Sequence, residues 1–189
     1  MSEIPVVNDI KVVYGEQLGD AEERYARLIA TFEEQYGGKP DLLARSPGRV
    51  NLIGEHIDYE GYSVLPMALA LDTIVAVKVD AGSDKLVVSN TNPEYTTKEF
   101  STDPSQQVDT ASLHWTNYCM CGYKGVFDYL GEAGKALPEA IGLKIMVDGR
   151  VPTGSGLSSS SALTCATAVA VMAAHNLAFT KAEVADFTC

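Results

Sequence analysis

The glycine- and serine-rich run from Val151 to Ala162 constrains the fold of this chain more than any other segment. It reads Val-Pro-Thr-Gly-Ser-Gly-Leu-Ser-Ser-Ser-Ser-Ala and continues into an apolar, alanine-rich stretch that reaches His175. A strand-like alternation of apolar and polar residues over 143–148 precedes it. The sequence therefore predicts a strand, a loop and the N-terminus of a buried helix, in that order.

Such a helix N-terminus exposes unpaired backbone N–H groups and the positive end of the helix dipole, so it suits a phosphate group. Glycines such as Gly154 and Gly156 let the backbone approach an anion, and serine hydroxyls can bond phosphate oxygens or magnesium. The run is not the usual P-loop, because no Gly-Lys-Ser/Thr follows the glycines. A flexible Gly/Ser linker is the alternative, but linkers are seldom flanked by a strand and a helix.

The composition is that of an ordinary globular protein, with 46% hydrophobic and 21% charged residues among 189. A net charge of −11 argues against a nucleic-acid partner and leaves any anion to be held by local N–H groups and a few cations. No apolar stretch approaches the ~20 residues that span a bilayer, and the N-terminus is not signal-like, so we expect no membrane partner. The four cysteines lack zinc or disulfide spacing, which favours reduced thiols and a cytoplasmic location.

Hydrophobic periodicity predicts an α+β arrangement. The expected helices cover residues 20–36, 115–130 and 162–175. A further helix is expected from Thr180, whose hydroxyl would form a capping box with Glu183. The expected strands cover residues 42–44, 50–53, 73–80, 85–89 and 143–148, with residues 90–107 mostly loop. Because no helix-stop signal precedes Cys189, we expect the chain to be the N-terminal part of a longer protein.

Four ionisable side chains lie close together between Arg45 and Met67, namely Arg49, Glu55, His56 and Asp58. Carboxylates and a histidine at this spacing can bond several hydroxyls of a polyol, and an arginine can stabilise charge on a transferred phosphoryl group. A metal site is one alternative, although the spacing lacks the i,i+4 pairing of a helical zinc site. A solvated loop with incidental charges is the other alternative.

Together, the two segments resemble the galactokinase branch of the GHMP small-molecule kinases. Residues 46–59, Ser-Pro-Gly-Arg-Val-Asn-Leu-Ile-Gly-Glu-His-Ile-Asp-Tyr, are similar to the galactokinase signature, and Pro152–Ala162 resembles the GHMP phosphate-binding motif. A closer likeness to N-acetylgalactosamine kinases and plant-type galactokinases is carried by Ile57, the Gly-Tyr-Ser-Val-Leu-Pro segment at 61–66, the Asn-Thr-Asn-Pro segment at 90–93 and the four-serine run.

This resemblance extends from about Tyr25 to Cys189 and implies the α+β fold of a GHMP kinase N-terminal domain over residues 1–189. Such a domain has a ribosomal-protein-like β-α fold, in which a mixed sheet carries helices on one side. It would include the signature at about 46–67 and the phosphate-binding loop at about 151–162. The C-terminal domain of the family would be missing, with the chain truncated at residue 189.

The resemblance also implies ATP-dependent phosphorylation of the C1 hydroxyl of galactose or N-acetylgalactosamine, with ATP and Mg²⁺ as cofactors. Arg49 would contact the sugar and stabilise the transition state, and Glu55, His56 and Asp58 would bind sugar hydroxyls. The expected nucleotide contacts are Trp115, near the adenine, and the loop residues Gly154, Ser155, Gly156, Leu157, Ser158, Ser159 and Ser160. Ser160 would also meet the magnesium ion.

The family's catalytic aspartate lies in a glycine-rich Met-Asp-Gln segment that would follow Cys189. Asp186 does not match it, because it lies inside the capped helix with no such motif around it. The implied partners are therefore a small-molecule sugar, ATP and the missing C-terminal domain. Without the base that takes the hydroxyl proton, we expect the 189 residues alone to have little or no kinase activity.

Two other functions remain open. One is a non-catalytic sensor that binds galactose and ATP, although such relatives tend to have a damaged serine loop and Ser158–Ser161 is intact here. The other is a GHMP kinase for another metabolite, such as mevalonate or homoserine, although those relatives lack the Gly-Glu-His-x-Asp-Tyr segment. The choice between galactose and N-acetylgalactosamine depends on the pocket volume around C2, which the sequence leaves open.

Overall fold

The computed structural model describes residues 2–54, 60–112 and 114–188. In chain order its elements are α1 (Ile10–Tyr14), α2 (Ala21–Tyr36), β1 (Leu42–Ile53), β2 (Leu65–Asp80), β3 (Lys85–Asn90), β4 (Lys98–Ser101), α3 (Thr116–Glu132), β5 (Gly142–Gly149), α4 (Ser159–Ala174) and α5 (Lys181–Phe187). A 3₁₀ turn, Gly15–Gln17, follows α1. Over the described ranges, every helix is too short or too polar to cross a membrane.

The five strands form one mixed sheet in the order β1-β2-β5-β3-β4. All neighbouring strands are antiparallel except β3 and β5, which run parallel. The side chains of β2 alternate in orientation, because successive residues of a strand point to opposite faces. Ile74 and Ala76 face one side of the sheet and Val75 and Val77 the other, and all four are fully buried.

Helices cover both faces of this sheet. The helices α3, α4 and α5 pack on the face of Val75 and Val77, where the larger hydrophobic cluster lies. Helix α2 packs on the opposite face, where its Leu28 and Phe32 meet Ile74, Ala76 and Met146. The predicted placement of the helices on one side is therefore wrong for α2, whose apolar stripe covers the face that the other helices leave open.

Strand β1 runs without a break through Pro47, whereas the sequence predicted two short strands. The pairing register with β2 shifts between Pro47 and Arg49, and this bulge accommodates the proline within a continuous strand. Strand β2 begins at Leu65, earlier than predicted, because it extends to pair with the second half of β1. The predicted loop over 90–107 contains β4, an edge strand of four residues, and α1 escaped prediction because it has only five.

The ends of three helices follow from local chemistry. Gly37 ends α2 in a left-handed conformation with φ of 75°, directly after the predicted last residue of this helix, residue 36. The capping box of α5 is confirmed, because the Glu183 carboxylate accepts the Thr180 backbone N–H at 2.7 Å and the Thr180 hydroxyl accepts the Glu183 N–H. Helix α4 begins at Ser159, so the last serines of the predicted loop belong to its first turn.

Candidate functional site

The loop between β5 and α4 contains three residues with positive φ. Gly154 and Gly156 have φ of 70° and 73°, which glycine adopts without steric cost. Ser158, the N-cap of α4, has φ of 59°, which is uncommon for a residue with a side chain. The Ser155 hydroxyl donates to the Pro152 carbonyl at 2.7 Å and braces the loop. These turns carry the chain from the end of β5 to the start of α4.

The N-terminus of α4 has backbone hydrogen-bond donors that none of the described residues uses. No described side chain caps it, and its first turn holds no acidic residue. The Ala162 N–H makes the first bond of the helix, to the Ser158 carbonyl at 3.0 Å. The N–H groups before it, including those of Ser159 and Ser160, lie at the positive end of the helix dipole and are open to an anion.

A cavity of about 460 Å³ adjoins this helix terminus. Its walls include the hydroxyl-bearing residues Thr153, Ser159 and Ser160 and the aromatic residues Tyr95 and Trp115. A volume of this size is typical of small-molecule sites, in which apolar walls supply most of the contact and a few polar groups fix orientation. The cavity therefore suits a ligand that carries both a flat ring and an anionic group.

Trp115 stands immediately before α3 with its ring edge-on to that of Tyr95, at a centroid distance of 5.7 Å. Its indole Nε1 is buried and has no hydrogen-bond partner among the residues that the structure describes. A buried donor left unpaired costs about 1–3 kcal/mol.

Arg49 lies on β1 at the bulge, and its backbone N–H donates to the Leu157 carbonyl at 3.0 Å. Its guanidinium forms no hydrogen bond or ion pair with residues 2–54, 60–112 or 114–188. Arg49 does not line the cavity. The other predicted sugar ligands, Glu55, His56 and Asp58, lie outside the described residues. The structure thus brings the strand of the first motif against the loop of the second.

The predicted nucleotide contacts divide into two groups. Trp115, Ser159 and Ser160 line the cavity, whereas the residues of Gly154–Ser158 form the loop without lining it. Sequence reasoning missed several polar lining residues, namely Asn90, Thr91, Asn92, Asp148 and Arg150. The Asn-Thr-Asn run that begins at Asn90, the last residue of β3, is the sequence signal for this wall of the cavity.

A buried ion network borders the cavity through Asp148. Arg24 of α2 is 3% exposed and pairs with both Asp72 and Asp148, with its Nε 2.6 Å from Asp148 Oδ1. Arg45 and Tyr14 also donate to the Asp72 carboxylate. Burial alone would raise the pKa of Asp72, but the hydrogen bonds from Arg24, Arg45 and Tyr14 outweigh it and lower that pKa. The network was not predicted, because its members lie far apart in the sequence.

The oxygen atoms that line the cavity could contribute to a magnesium site in which the phosphates of a ligand supply most of the metal ligands. Ser160 and Thr153 offer hydroxyl oxygens, and Mg²⁺ prefers oxygen ligands. The Asp148 carboxylate is already engaged, by Arg24 on one oxygen and by the Thr91 hydroxyl on the other at 3.2 Å. The described part of the chain contains no group of three or more His, Cys, Asp or Glu residues that could hold a metal ion.

Comparison with known proteins gives matches across most of the chain. Residues 30–79 match the family model of the galactokinase galactose-binding signature, and residues 117–189 match that of the GHMP kinases N terminal domain. The galactokinase of Dictyostelium discoideum is 42% identical over 170 residues, which cover 88% of this chain and 33% of that protein. The galactokinase of Candida maltosa is 37% identical over 169 residues, which cover 88% of this chain and 78% of that protein.

Among solved structures, that of Lactococcus lactis galactokinase complexed with galactose has a TM-score of 0.72 and 30% identity over 87% of this chain and 41% of that one. The predicted α+β fold of a GHMP kinase N-terminal domain is thereby confirmed. The chain spans about a third of the length of the Dictyostelium protein. With 37% identity to a relative of which it covers more than two thirds, the chain belongs to the galactokinase family of the GHMP kinases.

Proposed function

We propose that this protein, as expressed from its complete gene, transfers the γ-phosphoryl group of ATP to the C1 hydroxyl of galactose or N-acetylgalactosamine. The sugar oxygen would form the new bond to phosphorus, the bond to ADP would break, and the hydroxyl proton would pass to a base. The family resemblance assigns that base to a Met-Asp-Gln segment, which these 189 residues do not contain.

The observation that carries the proposal is the contact between the two motifs, Arg49 N–H to Leu157 carbonyl at 3.0 Å. It holds the galactokinase signature strand against the loop at the α4 N-terminus. A sugar held by the signature and a phosphate held by the loop would therefore be neighbours. Such positioning, together with electrostatic stabilisation, supplies most of the rate in phosphoryl transfer.

For ATP, we propose an orientation with the phosphates at the α4 N-terminus and the adenine against Trp115. The open N–H groups of Ser159 and Ser160 would bind phosphate oxygens, and the Ser160 hydroxyl would meet magnesium. When bound, Mg²⁺ would neutralise charge on the phosphates. This orientation uses both the polar and the aromatic walls of the cavity.

For the sugar, we propose that Glu55, His56 and Asp58 bind hydroxyl groups and that Arg49 stabilises the charge that develops on the transferred group. The Arg49 guanidinium has no competing partner within the described residues. Because Ile57 resembles the corresponding residue of N-acetylgalactosamine kinases, we propose N-acetylgalactosamine as a second substrate beside galactose.

We also propose a cytoplasmic location, supported by the free thiols of Cys119, Cys121 and Cys165.

A coupled ADP-release assay on the protein expressed from its complete gene tests this function. Galactose and N-acetylgalactosamine are compared in the wild type, in Arg49→Ala and in Lys39→Ala, which removes an exposed cation elsewhere. We expect sugar-dependent ADP release that falls by two or more orders of magnitude in Arg49→Ala and persists in Lys39→Ala. Binding of both ligands without turnover would instead support the sensor function.

A further inference from the structure

Gly48 occupies a position in β1 where no other residue fits without movement. A Cβ atom there would lie 2.9 Å from the Leu157 carbonyl oxygen and 3.0 Å from Val151 Cγ1. The first of these atoms belongs to the backbone of the phosphate-binding loop, so it cannot rotate away as a flexible side chain could. The glycine therefore lets the signature strand approach the loop directly.

The bulge next to Gly48 redirects one backbone donor. Pro47 pairs with Asp72, but Arg49 pairs with Ala68, so the ladder between β1 and β2 changes register across Gly48. The Arg49 N–H leaves the β1–β2 ladder and bonds the Leu157 carbonyl at 3.0 Å. Leu157 in turn precedes Ser158, the N-cap of α4. The strand and the helix terminus are thus joined through one peptide carbonyl.

We propose that Gly48 is a positioning residue that couples nucleotide binding to sugar binding through this contact. A nucleotide that fixes the loop also fixes the Leu157 carbonyl, and with it the strand that carries Arg49. Coupling between two binding sites is reciprocal, so the sugar raises the affinity for the nucleotide by the same factor. This inference rests on the proposed function, since it requires that both ligands bind.

The test is calorimetric titration of the nonhydrolysable ATP analogue AMP-PNP with magnesium, in the absence and presence of saturating galactose, using the protein from its complete gene. We expect galactose to tighten AMP-PNP binding about fivefold or more in the wild type. In Gly48→Ala the tightening should fall to about twofold or less, because the added methyl group pushes the strand away from Leu157.

Two other glycine substitutions serve as matched controls. Gly131, in α3, has open space where a Cβ would be added, so Gly131→Ala should behave as the wild type. Gly122 contacts α4 closely, with an added Cβ 2.5 Å from the Thr164 carbonyl oxygen. Gly122→Ala should therefore lower the melting temperature, yet it should keep the galactose-dependent tightening. A general loss of stability is in this way distinguished from a loss of coupling.

A second measurement requires no variant. Hydrogen exchange of the wild-type protein can be followed by mass spectrometry of its peptides. Backbone exchange in the peptides that cover residues 47–53 should slow when AMP-PNP binds in the absence of sugar. Unchanged exchange, or Gly48→Ala with wild-type coupling, would overturn the inference. If the wild type binds both ligands independently, the proposed function stands and this inference fails; if it binds neither ligand, both fail.

Discussion

The backbone N–H of Arg49 and the carbonyl oxygen of Leu157, 3.0 Å apart, form a hydrogen bond between two motifs that are distant in the sequence. Arg49 belongs to the strand of the galactokinase signature, and Leu157 belongs to the loop that immediately precedes α4. A transferred phosphoryl group must lie between a sugar and a nucleotide. This hydrogen bond brings the segments proposed to hold them into direct contact.

The hydroxyl groups at the start of α4 should differ in their effect on nucleotide binding. Ser160 lines the cavity, whereas Ser161 is exposed and does not. We expect Ser160→Ala to weaken AMP-PNP binding about tenfold in the presence of magnesium, because a hydrogen bond to a charged group contributes about 1.5–3 kcal/mol. Ser161→Ala should weaken it much less. Equal effects of the two substitutions in a titration would contradict this assignment.

Trp115 should affect nucleotide binding through its aromatic ring. Trp115→Phe keeps an aromatic face, so we expect it to retain most of the nucleotide affinity. Trp115→Ala removes the ring and should lose about 1–3 kcal/mol of base stacking. The tryptophan fluorescence of the wild type, which is absent from these residues in Trp115→Phe, should change when AMP-PNP is added. A nucleotide affinity that is unchanged in Trp115→Ala would place the base elsewhere.

The buried arginine of α2 should be essential for stability. Arg24→Ala leaves the Asp72 and Asp148 carboxylates without their shared partner, and breaking a buried ion pair in this way costs about 3–5 kcal/mol. Arg27→Ala, on the same helix but exposed, should change the free energy of unfolding by about 0.5 kcal/mol or less. Urea unfolding measures both values. Similar losses in the two variants would show that the network contributes no more than a surface charge.

The same network should make stability depend on pH in the acid range. The pKa of Asp72 is lowered in the folded state, so its contribution is complete above the ordinary value of 3.8 and is lost as the pH falls through the lowered pKa. The free energy of unfolding should therefore decrease as the pH is lowered below about 4. In Asp72→Asn this part of the decline should be absent, although the variant starts from a lower stability. Parallel pH profiles for the two proteins would contradict the assigned pKa shift.

Two cysteines on α3 should react at very different rates. Burial raises the pKa of the Cys119 thiol to about 12, whereas Cys121 is exposed. Because the thiolate is the reactive form, iodoacetamide at pH 8 should modify Cys121 and spare Cys119 in the folded protein. Fragment-ion mass spectrometry of the shared peptide distinguishes the two sites, and urea should expose both. Equal labelling of the folded protein would indicate that α3 is not packed as described.

Periodicity predicted the elements whose side chains alternate or repeat over many residues, such as α2, β2, β5 and α4. It failed at β1 and β4. The continuity of β1 depends on a bulge at Gly48 and on the loop around Leu157, which no local pattern around Pro47 reveals. The four-residue edge strand β4 is held by its pairing with β3.

The two motifs of the site were visible in the sequence because each is a continuous segment. The ion network was not, since Arg24, Asp72 and Asp148 each resemble an ordinary surface charge until the fold buries them together. The polar cavity wall at the end of β3 escaped prediction for a similar reason. Asn90 and Thr91 look like loop residues, and only the parallel pairing of β3 with β5 places them beside Asp148.

The most direct test of the central claim is identification of the product. The protein from its complete gene is incubated with ATP, magnesium and galactose, and the position of the new phosphate is determined by ³¹P and ¹³C NMR. The proposed function predicts galactose phosphorylated at C1, with one ADP formed for each phosphorylated sugar. It predicts almost no phosphorylated galactose in Arg49→Ala. A phosphate on another carbon, or ADP release that is independent of sugar, would contradict it.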